Sequence, residues 1–228
     1  MAAHGLAGSR IRPPAGPLDR PAWTELTTSC SDEHLVGLLA SAVDIGVLRV
    51  HGDQAAELAA LVADARARST AVREAVARVS RALDADGIDH HVLDGPVIAH
   101  RAYADPEVRD VTHADVLVEP SRLPPFPQPD TTVWFRYELL PADLGQPVGM
   151  FDAKKRSTRV DIDGHPVPVL PADAQFVYTC VRAASAPGAE RLLALRDVAQ
   201  LALTDDLDPV SVARFVGPGR ATAVVAHT

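Results

Sequence analysis

Residues 87–118 read GIDHHVLDGPVIAHRAYADPEVRDVTHADVLV, and the fold is decided in this stretch. Ile88 to Leu93 has the apolar and β-branched character of a short strand. Asp94-Gly95-Pro96 is a turn, and Pro96 suits the first position of a helix because its fixed φ is already helical. That helix carries Val97, Ile98, Ala102 and Tyr103, and Asp105-Pro106 stops it. Ala114 to Val118 is a second strand. Side chains alternate along a strand, so His113 and Asp115 project to one side and can act on one ligand together. Gly95 lets backbone N–H groups approach an anion at the helix start, although glycine also serves such turns for conformation alone.

Helical signals lie upstream. Ser31 is the expected N-cap of a helix with Asp32 and Glu33 in its first turn and Leu35, Leu38 and Leu39 on its apolar face. From Asp53 a longer apolar periodicity runs to Leu83, as one helix or as two broken near Ser69-Thr70, and Asp86-Gly87 closes it. Downstream, a proline-rich loop occupies 123–129, and Thr131 to Leu139 is a third strand. Thr158–Ile162 and Val167–Leu170 form a hairpin around Asp163-Gly164. The chain is helical from Pro171. This order predicts an α+β fold, a small mixed sheet with helices on one face and helical extensions at both ends. The expected boundaries are a disordered leader at 1–28, N-terminal helices at 29–86, the sheet-bearing core at 87–170 and a helical region at 171–228.

Composition narrows the classes of function. The chain has 228 residues, 47% of them apolar and 23% charged, which excludes a disordered or collagen-like protein. No run approaches the ~20 apolar residues of a spanning helix. A net charge of -8 argues against nucleic acid as a partner. Met1 to Trp23 holds four prolines but no signal-peptide core, which points to the cytoplasm. There Cys30 and Cys180 are expected as buried free thiols. The absence of Asn and the scarcity of Lys against Arg suggest a GC-rich bacterial genome.

Gly87-Ile88, Leu93-Asp94-Gly95, Tyr103-Ala104-Asp105-Pro106-Glu107-Val108-Arg109 and His113-Ala114-Asp115-Val116-Leu117-Val118 resemble the nucleotidyltransferase superfamily that includes DNA polymerase beta. The likeness is to its branch of uncharacterised bacterial nucleotidyltransferases, which reads Leu-Lys-Gly, Tyr-x-Asp-Pro-x-x-Arg and Asp-Ile-Asp-Leu-Leu-Val with the same spacing. The resemblance implies a site in which two carboxylates on one strand and a third on its neighbour hold two magnesium ions. It would cover roughly residues 30 to 216.

Against that pattern this chain departs three times. His113 stands at the first carboxylate position, while Asp115 keeps the second. Trp134 and Arg136 stand near the third, and Asp94 replaces the lysine before Gly95. Mg²⁺ prefers oxygen ligands, and imidazole shifts preference toward Zn²⁺ or Mn²⁺. The resemblance therefore implies a degenerate two-metal site. Its candidate catalytic residues are His113, Asp115 and Asp94, with Asp115 and His113 as metal ligands. Gly95, Pro96, Arg109, Trp134 and Arg136 are candidates for binding a nucleotide or another ligand. Mg or Mn is the expected cofactor only if the site is active.

Three functions stand open. The first is a binding or regulatory protein, or a repurposed biosynthetic enzyme. The second is an active transferase moving a nucleoside monophosphate to a small molecule or protein. The third is an acid–base enzyme of specialised metabolism using His113 with Asp94 or Asp115. His90 and Asp94 alternate onto one strand face and could form a hydrogen-bonded acid–base pair. Structural roles compete at each position. Arg109 can pair with Asp110 or Asp115, and Trp134 and Tyr137 can be core residues. Lys154-Lys155 reads as a solvated turn.

Overall fold

Glycine at position 95 ties the fold together. A computed structural model describes residues 1–9, 12–119, 132–139, 157–185, 191–216 and 220–227. In it β1 (His90–Val92) runs into the turn at Gly95, and α4 (Pro96–Ala102) starts there with Pro96 first. The helices before it are α1 (Arg20–Asp32), α2 (Val36–Asp44) and α3 (Gly52–Ala85). A short 3-10 turn (Pro106–Val108) leads to β2 (Ala114–Val118) and then β3 (Val133–Arg136). The hairpin is β4 (Thr158–Ile162) and β5 (His165–Val169). Four helices follow, α5 (Ala172–Ser185), α6 (Arg191–Thr204), α7 (Pro209–Val216) and α8 (Arg220–His227).

The strands form one mixed sheet in the order β3-β2-β1-β5-β4. β1 pairs antiparallel with β2 and parallel with β5, and β2 pairs parallel with β3. The three strands read from the sequence are therefore neighbours, β2 with the expected bounds and β1 and β3 shorter than expected. The hairpin turns at Asp163 and Gly164, both at positive φ, as a tight two-residue connection requires. The fold is α+β, as the order of elements predicted.

Strand alternation divides the core. Val92, Val116, Val118 and Val169 pack against Val72, Val76 and Leu83 of α3 and Val97 of α4. Leu93, Leu117 and Leu170 face Ala174, Val177, Tyr178 and Val181 of α5. Asp115 shares the parity of Leu117, so the site opens on the α5 side. α3 is one unbroken helix through Ser69-Thr70, and its N-terminal half packs Leu58 and Ala65 into a second cluster with α1 and α2.

Three local expectations are corrected. Residues 20–28, expected within the leader, lie in α1, and Trp23 is wholly buried with its indole N–H on Glu57 Oε2. Ser31 caps nothing, because it lies inside α1. The start of α2 is capped from 74 residues away, where Asp110 Oδ2 accepts from Val36 N and its Oδ1 from Gly37 N, both at 3.1 Å. A tertiary carboxylate does here what a local cap does elsewhere. His90 does not share a face with Asp94. The strand ends at Val92, and His90 Nε2 lies 2.7 Å from Ser80 Oγ on α3. Both cysteines are free and buried, and burial pushes the Cys30 thiol up to about 11. The proline-rich loop 123–129 and Lys154-Lys155 lie outside the described residues. No helix among the described residues is long and apolar enough to cross a membrane.

Gly95 has φ 64°, and a Cβ placed on it would lie 2.2 Å from the backbone oxygen of His113. The strand-to-helix turn and the start of β2 are in backbone contact, and only glycine permits both. Gly95→Ala is expected to destabilise the fold by about 3 kcal/mol, combining strain with a clash that neither backbone can relieve. Urea unfolding followed by circular dichroism checks this.

Candidate functional site

The site lies between the C-terminal side of β1, the start of β2 and the inner face of α5. Its first member is Asp94. The carboxyl turns back to accept from Gly95 N at 2.6 Å, so the backbone donor that could hold a phosphate at this turn holds the chain's own carboxylate instead. Pro96 offers no N–H. Burial would raise the Asp94 carboxyl, but Arg109, Arg182, His113 and the Gly95 N–H together hold it below the usual range.

Arg109 is buried at the centre of a charge network. Its Nη2 lies 2.7 Å from Asp197 Oδ2 and 3.5 Å from Asp94 Oδ1, and its Nη1 donates to the Asp110 carbonyl at 3.0 Å. Tyr103 O–H donates to Asp197 Oδ1 at 2.7 Å. Burial raises the Asp197 carboxyl against the pull of Arg109, and burial together with the Asp197 charge holds the Tyr103 hydroxyl far above its ordinary range. Arg109 thus pairs with Asp197 and Asp94, and neither with Asp115 nor with the side chain of Asp110.

Asp115 is fully buried on β2. Tyr178 O–H donates to its Oδ2 at 2.5 Å, and Arg136 Nε stands 3.0 Å from its Oδ1 as an ion pair whose N–H is not aligned for a hydrogen bond. Arg136 reaches it because β2 and β3 run parallel in register, with Asp115 opposite Trp134 and Leu117 opposite Arg136. His113 stacks on Trp134 with centroids 4.4 Å apart and an interplanar angle of 20°. Trp134 is 44% exposed, so it is not a core residue, and neither is Tyr137.

Arg182 on α5 meets all three candidate catalytic residues. Its Nε is 3.3 Å from Asp94 Oδ2, its Nη1 is 3.8 Å from Asp115 Oδ2, and its Nη2 is 3.0 Å from His113 Nε2. Arginine only donates, so His113 Nε2 accepts and the ring proton is assigned to Nδ1, which faces Thr112 Oγ1 at 3.1 Å.

The structure therefore brings Asp94, His113 and Asp115 together, with one ligand atom of each within 4.8 Å of the others. Gly95 and Arg109 border the same pocket. Pro96 only starts α4, while Trp134 and Arg136 cover the β3 side. The two-magnesium arrangement does not fit these residues. Guanidinium groups stand on Asp115 and on Asp94. The free interior between Asp94, Arg109, His113, Arg182 and Asp197 is about 30 Å³, room for a water or two and not for a nucleotide. Beside it, past Arg136, Tyr178 and Arg182, lies an open cavity of about 480 Å³.

Residues 19–128 match the family described as uncharacterised nucleotidyltransferase. Over that stretch the chain is similar to this family. A crystal structure of an antigenic nucleotidyltransferase-like protein from Paracoccidioides brasiliensis aligns over 68% of this chain and 86% of that one, at 12% identity and a TM-score of 0.43. No curated protein matches the sequence.

Tyr178, Arg182 and Asp197 were not among the sequence candidates. Tyr178 and Arg182 are four apart, hence on one face of α5, and that spacing is the signal that could have found them.

Removing Arg109 would leave buried Asp197 without its cation and Asp94 with Arg182 alone. Arg109→Met is expected to cost about 3–5 kcal/mol, measured as a lower urea midpoint.

The depressed Asp94 carboxyl gives a pH signature. Its folded value lies below the unfolded value of about 3.9, so its contribution is complete above that pH and is lost as pH falls through the folded value. Asp94→Asn should therefore flatten the wild-type loss of stability below about pH 4, read by thermal melts across an acid series.

Proposed function

We propose that this is a nucleotidyltransferase-fold protein that has exchanged two-metal chemistry for a guanidinium–carboxylate network. It works as a binding or regulatory protein, or as a biosynthetic enzyme with a repurposed pocket. The observation that carries this reading is the placement of cationic side chains on Asp94 and Asp115. Arg109, Arg136 and Arg182 face Asp94, Asp115 and Asp197, so positive and negative groups match without any added ion. A divalent metal and a triphosphate would each have to displace a partner already held.

The Gly95 turn supports the same reading, because its N–H is taken by Asp94. A ligand of this protein is a small molecule or a nucleotide met in the open cavity beside the site, with exposed Trp134 and Tyr137 nearby. A protein partner is the other candidate. Nucleic acid is disfavoured by the net charge of -8, and a bacterial cytoplasm suits the two free thiols.

A second reading has one observation in its favour. The three ligand atoms of Asp94, His113 and Asp115 within 4.8 Å would suit an altered metal site, with Mg or Mn, in a transferase still moving a nucleoside monophosphate. Acid–base catalysis by His113 fares worse, because its Nε2 lone pair is engaged by Arg182.

Calorimetry separates the first two. Magnesium–ATP at millimolar concentration is expected to give no saturable heat with the wild-type chain. A micromolar dissociation constant that requires magnesium would overturn the proposal in favour of an active transferase.

A further inference from the structure

The open cavity of about 480 Å³ beside the site has a cationic inner end and an apolar wall. Arg136 and Arg182 stand at the inner end. Arg136 Nε lies 3.0 Å from Asp115 Oδ1, and Arg182 Nη1 lies 3.8 Å from Asp115 Oδ2. Two guanidinium groups on the two oxygens of one carboxylate are neighbours of each other. Phe135, Leu139 and Val181 supply the apolar wall, joined by the exposed Tyr137. The volume is that of a pocket for a small organic molecule.

Charge within the site balances, but it is not evenly placed. Asp115 is fully buried, whereas the side chains of Arg136 and Arg182, which line the cavity, are 37% and 28% exposed. The ion pairs therefore turn their positive ends toward the cavity. Glu138 lines it too, as an exposed group whose charge water and salt screen. An anion entering the cavity meets the cations first and the buried carboxylate behind them.

Hydrogen bonding is further from balance than charge. The Arg136 guanidinium carries five N–H donors. Among the described residues none of them is matched to an acceptor in hydrogen-bond geometry, and its Nε is buried without one. A carboxylate meets the planar edge of a guanidinium with two parallel N–H···O bonds. A single negative charge suits this wall, since both guanidinium groups already have Asp115 behind them. A triphosphate would bring more charge than the wall can offset.

We propose that this cavity binds a small organic acid, its carboxylate held by Arg136 with Arg182 beside it and its apolar body against Phe135, Leu139 and Val181. The inference rests on the proposed reading of the cavity as the place where this protein meets its ligand, and it names the chemical class of that ligand. Arg136 is the residue that selects the acid.

The full-length chain is titrated with benzoate and hexanoate as probes, and with benzamide and hexanamide as their uncharged analogues. Calorimetry gives the affinity and tryptophan emission gives the place. The chain has two tryptophans, of which Trp23 is wholly buried in the α1 cluster, and Arg136 Cζ lies 5.8 Å from the Trp134 ring centroid. At least one acid should bind saturably below millimolar concentration with a change in emission, and its amide should bind roughly tenfold or more weakly. Arg136→Met should weaken the acid by a similar factor, and Arg136→Lys should recover part of the loss. Ser185→Phe fills the cavity from the exposed end of α5 without touching a charge. It should weaken the acid as well, and it keeps the test decisive if Arg136→Met does not fold.

Equal affinity for acid and amide would overturn the proposal. So would a folded Arg136→Met or Ser185→Phe that binds the acid as the wild type does, or the binding of neither acid at millimolar concentration. Inorganic phosphate serves as competitor, and displacement of the acid by an equal concentration of phosphate would overturn the carboxylate assignment in favour of a general anion site. Micromolar magnesium–ATP binding bears on the loss of two-metal chemistry alone, whereas the acid titrations bear on the cavity.

Discussion

The buried pairing of Arg109 with Asp197 and Asp94 is the constraint on which the rest of this structure depends. A guanidinium this deep is tolerable only because each face of it meets an oxygen, from Asp197, Asp94 or the Asp110 carbonyl. The two carboxylates come from distant places, α6 and the β1–α4 turn, while the carbonyl belongs to the next residue and Tyr103, at the end of α4, shares Asp197. Satisfying one cation fixes their mutual positions. The site is therefore not an opening left between elements but the place where the elements are pinned.

Pinning by charge also sets the electrostatics of the pocket. A metal site stores negative charge and waits for an ion. Here the negative charge is matched within the chain, by Arg109 below, Arg182 from α5 and Arg136 from β3. Asp94 takes the turn's N–H for itself. A carboxylate here makes the pocket floor negative and fills its backbone donor.

Much of the sheet was legible in the sequence because its signals are local. Ala114–Val118 is a short, mostly apolar run with two valines, Asp163-Gly164 supplies positive φ, and Pro96 is suited to start a helix after such a turn. The Tyr103-to-Arg109 stretch pointed at the site, and Asp94, His113 and Asp115 do converge. What stayed hidden was set by partners far along the chain. Asp110 caps α2, so Ser31 was read as a cap it does not form. Trp23 sits among prolines and arginines, and only the packing of α1 shows that it is core. Arg182 is a charged residue on an amphipathic helix, where periodicity assigns charge to solvent. Nothing in α5 alone says that a strand of the sheet carries a buried aspartate.

The unbroken α3 has a consequence for how this chain divides. One helix of 34 residues gives its first half to the α1–α2 cluster and its second half to the sheet. Helices gain most of their stability from the face they bury, so neither half of α3 holds its shape without its own cluster. The two clusters share a single rod, and melting either frays the support of the other. The boundary expected near residue 86 therefore separates patterns in the sequence, while the unit that folds, and that evolution can inherit or exchange as one piece, runs straight across it.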